Sequence, residues 1–133
     1  MKFSTKATYG LRICFLLAVS DKTLSLADIV GKTDLSEKYL EQILGKLRKN
    51  GIVGAKRGAS GGYFLLKPPS EISVGSILHA LDSKVTLAEC TAGNCIDDYC
   101  PNRMLFKRIY DAVENIVNTT TLEDMIHDYK CVK

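Results

Sequence analysis

Residues 36–66 read SEKYLEQILGKLRKNGIVGAKRGASGGYFLL and carry the clearest structural pattern in the chain. Gly51 is a natural stop for a helix. Two short apolar segments, 52–55 and 63–66, then flank a basic, glycine-rich linker, which is the pattern of a β-hairpin. The part before Gly51 has apolar residues at the 3.6-residue period of a helix: Leu40, Ile43, Leu44 and Leu47. The stretch therefore predicts a helix followed by a hairpin.

The predicted helix has a polar, basic face opposite its apolar stripe, and the hairpin tip places cations beside glycines. A helix with long donors around a small residue such as Gly45 suits the major groove of DNA. A hairpin tip with cations and backbone N–H groups suits a phosphate backbone or a minor groove. The alternative for each side chain is a solvated surface position. The candidate DNA-binding residues on the two elements are Lys38, Gln42, Arg48, Lys56, Arg57, Ser60 and Gly61.

Two helices are predicted before this stretch. The first covers about residues 5–19, and Cys14 falls on its apolar face, which favours a core position. The second opens at Ser25, where a serine and an acidic residue have the spacing of a capping box, and a tight turn is predicted over 31–35. The order of helix, turn, helix and hairpin is that of a winged helix-turn-helix, which we assign to residues 1–69.

The second part, residues 70–133, is predicted to be helical apart from one irregular segment. A helix begins after Ser73, and helical periodicity is absent from 82 to 100. Pro101 suits the first position of a long helix that reaches about residue 118, and a short helix follows it. The apolar stripe of the long helix is wider than a small core needs, which predicts a homodimer. The expected fold is mainly α with a small β-hairpin wing and a long C-terminal dimerisation helix.

Composition and charge indicate one compact unit with an anionic partner. The chain has 133 residues, 46% of them hydrophobic and 25% charged, with no apolar run long enough to span a bilayer. Residues 1–69 contain 12 Lys and Arg against 5 Asp and Glu, a net charge of +7, whereas residues 70–133 contain 6 against 10, a net charge of −4. A clustered basic half favours binding of double-stranded DNA. No signal-peptide pattern opens the chain, so a cytoplasmic location is expected.

Three of the five cysteines lie in the irregular segment: Cys90, Cys95 and Cys100. Four residues separate successive cysteines, which is neither the spacing of a zinc ribbon nor that of a bacterial ferredoxin. Soft thiolates on a loop can hold an iron–sulfur cluster, and Gly93 and Asn94 permit tight turns there. The alternative is a set of three unligated or redox-active thiols.

The sequence resembles the Rrf2 family of bacterial winged-helix regulators over nearly the whole chain. The resemblance is carried by residues 39–44, 47–53 and 57–65, which read YLEQIL, LRKNGIV and RGASGGYFL. It implies a homodimer whose long helices cross, whose recognition helices enter successive major grooves and whose wings touch the flanking minor grooves. The residues that it implies at base or wing contacts are Lys38, Glu41, Gln42 and Arg57.

Within the family, the three cysteines of the loop resemble those of the iron–sulfur cluster regulators. This similarity implies that Cys90, Cys95 and Cys100 hold a cluster, with 2Fe–2S as the expected type. Some of these regulators have a histidine where this chain has Arg103, and others have an aspartate where it has Thr8. The fourth ligand is therefore open. The residues that could supply it are Thr8, Glu89, Asp97, Asp98 and Cys131.

Two functional hypotheses follow, and a third class is disfavoured. The first is a repressor or activator that senses iron–sulfur cluster or redox status. The second is a metal-free regulator of the same fold, controlled by a partner protein or by thiol oxidation, like the family's repressor of cysteine metabolism. An enzyme is disfavoured because the sequence has no nucleophile–base constellation, and the turn at 58–62 lacks the lysine of a phosphate-binding loop.

Overall fold

Three capped helices form the first part of the fold. The computed structural model describes residues 3–81 and 99–132. A serine side chain precedes each of the three helices and accepts a hydrogen bond from the backbone N–H three residues further on, at 3.1–3.2 Å. The helices are α1 (Thr5–Val19), α2 (Leu26–Thr33) and α3 (Glu37–Lys49). The predicted bounds of α1 and the predicted starts of α2 and α3 are confirmed.

The turn between α2 and α3 is shorter than the sequence predicts. A turn over 31–35 is wrong, because α2 continues through Gly31 to Thr33. The backbone N–H of Asp34 donates to the carbonyl of Val30 at 3.0 Å, so the helical pattern persists up to this residue. Asp34 then adopts the left-handed conformation, with a φ of 58°, and ends the helix.

The predicted hairpin is present, and each strand lies within one residue of its predicted segment. Strand β1 (Val53–Lys56) pairs antiparallel with strand β2 (Gly62–Leu65), with Val53 opposite Leu65. Val53 is buried and anchors the hairpin to the core beside α3. Gly51 has a φ of 74°, which lets the chain turn sharply out of α3 and into the hairpin.

The second part of the described chain contains a short 3₁₀ turn and three helices. The sequence prediction that Pro101 opens the long helix is wrong by two residues. The N–H of Arg103 donates to the carbonyl of Cys100 at 3.2 Å, so Pro101 lies inside a closed turn and the helix begins after it. The last helix is longer than the short one predicted. The elements are the 3₁₀ turn Pro69–Glu71, α4 (Val74–Ala80), α5 (Arg103–Thr119) and α6 (Leu122–Val132).

Fully buried side chains from the helices and the hairpin form one core. Helix α1 approaches its neighbours closely at Gly10, where an added methyl group would overlap the Leu81 side chain and contact Ile43. The apolar stripe predicted for α3 is buried throughout. Within the described ranges, no helix is long and apolar enough to cross a membrane. The largest buried side chains include Ile13, Ile29, Leu40, Ile43, Leu44, Leu47, Ile77 and Leu122.

Candidate nucleic-acid interface

The predicted base-reading residues share the outer face of α3. On the inner side, Tyr39 of α3 packs edge-on against Tyr9 of α1, with ring centroids 6.3 Å apart. This contact and the buried stripe hold α3 on the core and leave its outer face in contact with solvent. A helix held in this way can enter a groove without rearranging. The residues exposed on the outer face are Lys38, Glu41, Gln42 and Arg48.

The predicted wing residues surround a tight turn at the tip of the hairpin. Gly58 has a φ of 109°, and its carbonyl accepts a hydrogen bond from the N–H of Gly61 at 3.0 Å. A methyl group at position 61 would overlap the backbone carbonyl of Lys56, so the turn requires glycine there. The side chains of Lys56, Arg57 and Ser60 are exposed around this turn. The tip therefore presents cations on a compact backbone in the hairpin that follows α3.

Residues 23–24, which the sequence did not single out, bind the hairpin from the side. The N–H of Leu24 donates to the carbonyl of Tyr63 at 3.1 Å, and the N–H of Tyr63 donates to the carbonyl of Leu24 at 2.7 Å. The Thr23 hydroxyl also donates to the carbonyl of Ser60, at 3.2 Å. The only local signal was one apolar residue ahead of a helix cap, and such a signal does not specify a strand partner.

The described cysteines lie in three different environments. Cys14 is fully buried in α1, as the sequence predicts, and burial raises the pKa of its thiol to about 12. Cys100 is half-buried in the turn before α5. Cys131 is exposed near the end of α6, with its Sγ atom 3.7 Å from Nε2 of His127. Cys14 is therefore protected from thiol reagents in the folded protein.

The predicted cluster ligands are only partly described. Cys90 and Cys95 lie outside the described residues, and so do the candidates Glu89, Asp97 and Asp98. Among the residues that are described, no group of three or more His, Cys, Asp or Glu side chains comes together to hold a metal ion. The guanidinium of Arg103, at the start of α5, has no free lone pair with which to coordinate a metal ion. The Thr8 hydroxyl is exposed and donates to a carbonyl one turn earlier in the chain, at 3.2 Å.

Helix α5 carries an apolar face that the rest of the described chain leaves open. No residue of α5 is buried. Large apolar side chains in water are costly, and a contiguous exposed set of them usually marks an interface. The exposed members, between 38% and 67% accessible, are Met104, Leu105, Ile109 and Ile116.

The fold and its exposed basic elements define the class of protein. A helix-turn-helix followed by a two-stranded wing is the architecture of a winged-helix DNA-binding transcriptional regulator. The chain belongs to the Rrf2 family, whose model is described as an iron-dependent transcriptional regulator and matches residues 3–128. The resemblance in the sequence is thereby confirmed.

Two curated relatives indicate where the chain lies within the family. The HTH-type transcriptional regulator CymR of Bacillus subtilis is 40% identical over 127 residues, which cover 94% of this chain and 89% of CymR. The HTH-type transcriptional regulator IscR of Klebsiella pneumoniae is 33% identical over 132 residues, which cover 96% of this chain and 81% of IscR. These relatives are transcriptional regulators and not enzymes, as the sequence predicts.

Solved structures of CymR and of a second IscR confirm the winged-helix fold. The structure of CymR, described as the global cysteine regulator of B. subtilis, has a TM-score of 0.82 at 40% identity and covers 94% of this chain and 95% of its own. The structure of T. potens IscR has a TM-score of 0.77 at 34% identity and covers 97% of this chain and 88% of its own. Both similarities extend beyond the wing to the C-terminal helices.

Proposed function

We propose that two copies of this regulator bind operator DNA in the cytoplasm through α3 and the hairpin wing. In this proposal residues 1–69 contact DNA, and residues 70–133 form the dimer and sense iron–sulfur cluster or redox status. The observation that carries the proposal is the solvent-exposed basic face of α3, followed directly in the chain by a hairpin whose tight turn also exposes cations. The proposed DNA contacts are Lys38, Glu41, Gln42, Arg48, Lys56, Arg57, Ser60 and Gly61.

Arg57→Ala should weaken binding to operator DNA by about 1–3 kcal/mol, which is roughly 5- to 150-fold. A guanidinium inserted into a narrow minor groove contributes both charge and hydrogen bonds, and alanine removes both. The measurement is fluorescence anisotropy with an operator selected from random-sequence DNA by the purified protein. Arg57→Lys serves as the matched control, because it keeps the charge and should recover part of the loss. Unchanged affinity of Arg57→Ala at moderate salt would show that the wing does not contact DNA.

The exposed apolar face of α5 should make the protein a homodimer at micromolar concentration. Burial of this face between two copies removes large side chains from water, which favours association. Sedimentation equilibrium should give twice the mass of one chain, and Ile109→Glu should shift the equilibrium to the monomer. Lys107→Ala is a suitable control on the same helix, because its exposed ion pair with Asp111 contributes little. A stable wild-type monomer would contradict dimerisation.

We propose further that Cys90, Cys95 and Cys100 hold an iron–sulfur cluster, with 2Fe–2S as the expected type. Three soft thiolates suit iron, and the similarity to IscR supports the proposal. The donor set fits only in part, because Arg103 stands where the resemblance implies a histidine and the fourth ligand is unassigned. When bound, such a cluster supplies a redox-responsive centre.

Protein purified without oxygen should be brown and contain iron, and single Cys→Ala changes at Cys90, Cys95 or Cys100 should lower its iron content and visible absorbance. Cys14→Ala is the control, because this thiol is fully buried in α1 and should not affect the cluster. Cluster-bound iron is measured by colorimetric iron and sulfide assays. Wild-type absorbance in all three variants would overturn the cluster proposal.

A metal-free regulator is the second candidate, and one observation favours it. The identity to CymR, at 40%, exceeds that to IscR of Klebsiella pneumoniae, at 33%. In this case a partner protein or thiol oxidation would control DNA binding. Anaerobically purified protein would be colourless and free of iron, so the same iron assay separates the two candidates.

A further inference from the structure

The hairpin wing is held from outside by the segment that precedes α2. A hairpin of two four-residue strands is marginally stable by itself in water. Here Leu24 pairs with Tyr63 through two reciprocal backbone hydrogen bonds, at 3.1 and 2.7 Å, and so extends the hairpin by one bridge. Gly62 permits this approach, because a methyl group there would overlap the carbonyl of Leu24. The second strand of the wing is therefore fixed to the body of the protein near the tip.

A second contact holds the tip of the wing. The Thr23 hydroxyl donates to the carbonyl of Ser60, 3.2 Å away and 37 positions later in the chain. The turn before Thr23 is itself held by the Ser20 hydroxyl, which donates to the carbonyl of Lys22 at 2.8 Å. Ser60 lies in the tight turn that directly follows Arg57, so the bond from Thr23 restricts the backbone next to this guanidinium.

We propose that Thr23 is a positioning residue that orders the wing tip for DNA binding. Its hydroxyl holds the carbonyl of Ser60, and the closed turn then presents Arg57 in one orientation. A tip ordered in advance loses less conformational entropy when it binds DNA, so affinity rises without a new contact. This inference rests on the proposed contact between Arg57 and DNA, and it adds a residue that itself need not touch DNA.

The test compares Thr23→Val with Thr23→Ser. Valine has nearly the shape of threonine but no hydroxyl, whereas serine keeps the donor. Thr23→Val should weaken operator binding by about three- to tenfold, the range expected for one hydrogen bond. Thr23→Ser should stay within about twofold of the wild type. Thermal unfolding, measured in parallel, should show that both variants fold like the wild type.

A double-mutant cycle with Arg57→Ala shows whether Thr23 acts through Arg57. In the Arg57→Ala background, Thr23→Val should have almost no further effect, because the group that it positions is gone. Equal effects in both backgrounds, or a loss that Thr23→Ser shares, would overturn the positioning role. The positioning role would also be overturned if Arg57→Ala weakened operator binding and Thr23→Val did not. If Arg57→Ala alone leaves affinity unchanged, the proposed wing contact fails first, and the role of Thr23 fails with it.

Discussion

Operator binding should weaken by about 10³- to 10⁵-fold when the salt concentration rises from about 50 to about 200 mM. The reason is the release of counterions from DNA phosphates that basic side chains neutralise. Loss on this scale corresponds to about six to ten phosphate contacts. The two protomers of a dimer can supply that number together. Each protomer exposes five cations on α3 and the wing: Lys38, Arg48, Lys49, Lys56 and Arg57.

The slope of log affinity against log salt concentration identifies which cations take part. Lys56→Ala, on the wing, should reduce this slope by about one for each phosphate contact that it removes. Lys130→Ala, on the exposed surface of α6, is the matched control and should leave the slope unchanged. Fluorescence anisotropy titrations at several salt concentrations measure both variants. An affinity that hardly responds to salt would exclude the basic half as the DNA-contacting surface.

Ile43→Ala should lower the free energy of unfolding by about 2–5 kcal/mol. The Ile43 side chain is fully buried on the inner face of α3, close to Gly10 of α1. Alanine leaves a cavity there, because the neighbouring side chains of the tightly packed core cannot easily move into the space. Urea denaturation, followed by the helical circular dichroism signal, measures the change.

Gln42→Ala is the neighbouring control on the opposite face of α3. Gln42 is exposed, so its loss should change the free energy of unfolding by less than about 0.5 kcal/mol. It should instead change operator preference, because it lies on the proposed base-reading face. A comparable loss of stability in both variants would show that α3 does not separate a structural face from a recognition face.

The helices were predictable because their signals are local. The serine cap of α2, the apolar period of α3 and the glycine after α3 each act within a few residues, and the structure confirms them. The errors also have local causes. Gly31 looked like the start of a turn, yet the helix ends three residues later at left-handed Asp34. Pro101 suited a first helical position, yet it lies in a turn closed by Arg103 and Cys100.

The basic residues of α3 and the wing were easier to predict from the sequence than the role of the cysteines. The basic face of α3 and the cations of the wing follow from periodicity and charge, so Lys38, Gln42 and Arg57 could be named in advance. The role of the cysteines depends on how three thiols and a fourth donor meet in space. Spacing along the chain does not determine how these groups are arranged in space. Burial in α1, which raises the pKa of the Cys14 thiol, likewise depends on packing and disfavours the reactive thiolate.

The winged-helix architecture, the solvent-exposed face of α3 and the family of the protein all followed from the sequence alone. How the wing is held followed from contacts between distant parts of the chain, through Leu24 and Tyr63 on the second strand and through Thr23 and Ser60 at the tip. The physical reason is the range of the interactions. Caps and amphipathic periods join residues within one or two helical turns, whereas the bond from Thr23 joins residues 37 positions apart and leaves no periodic pattern in the chain.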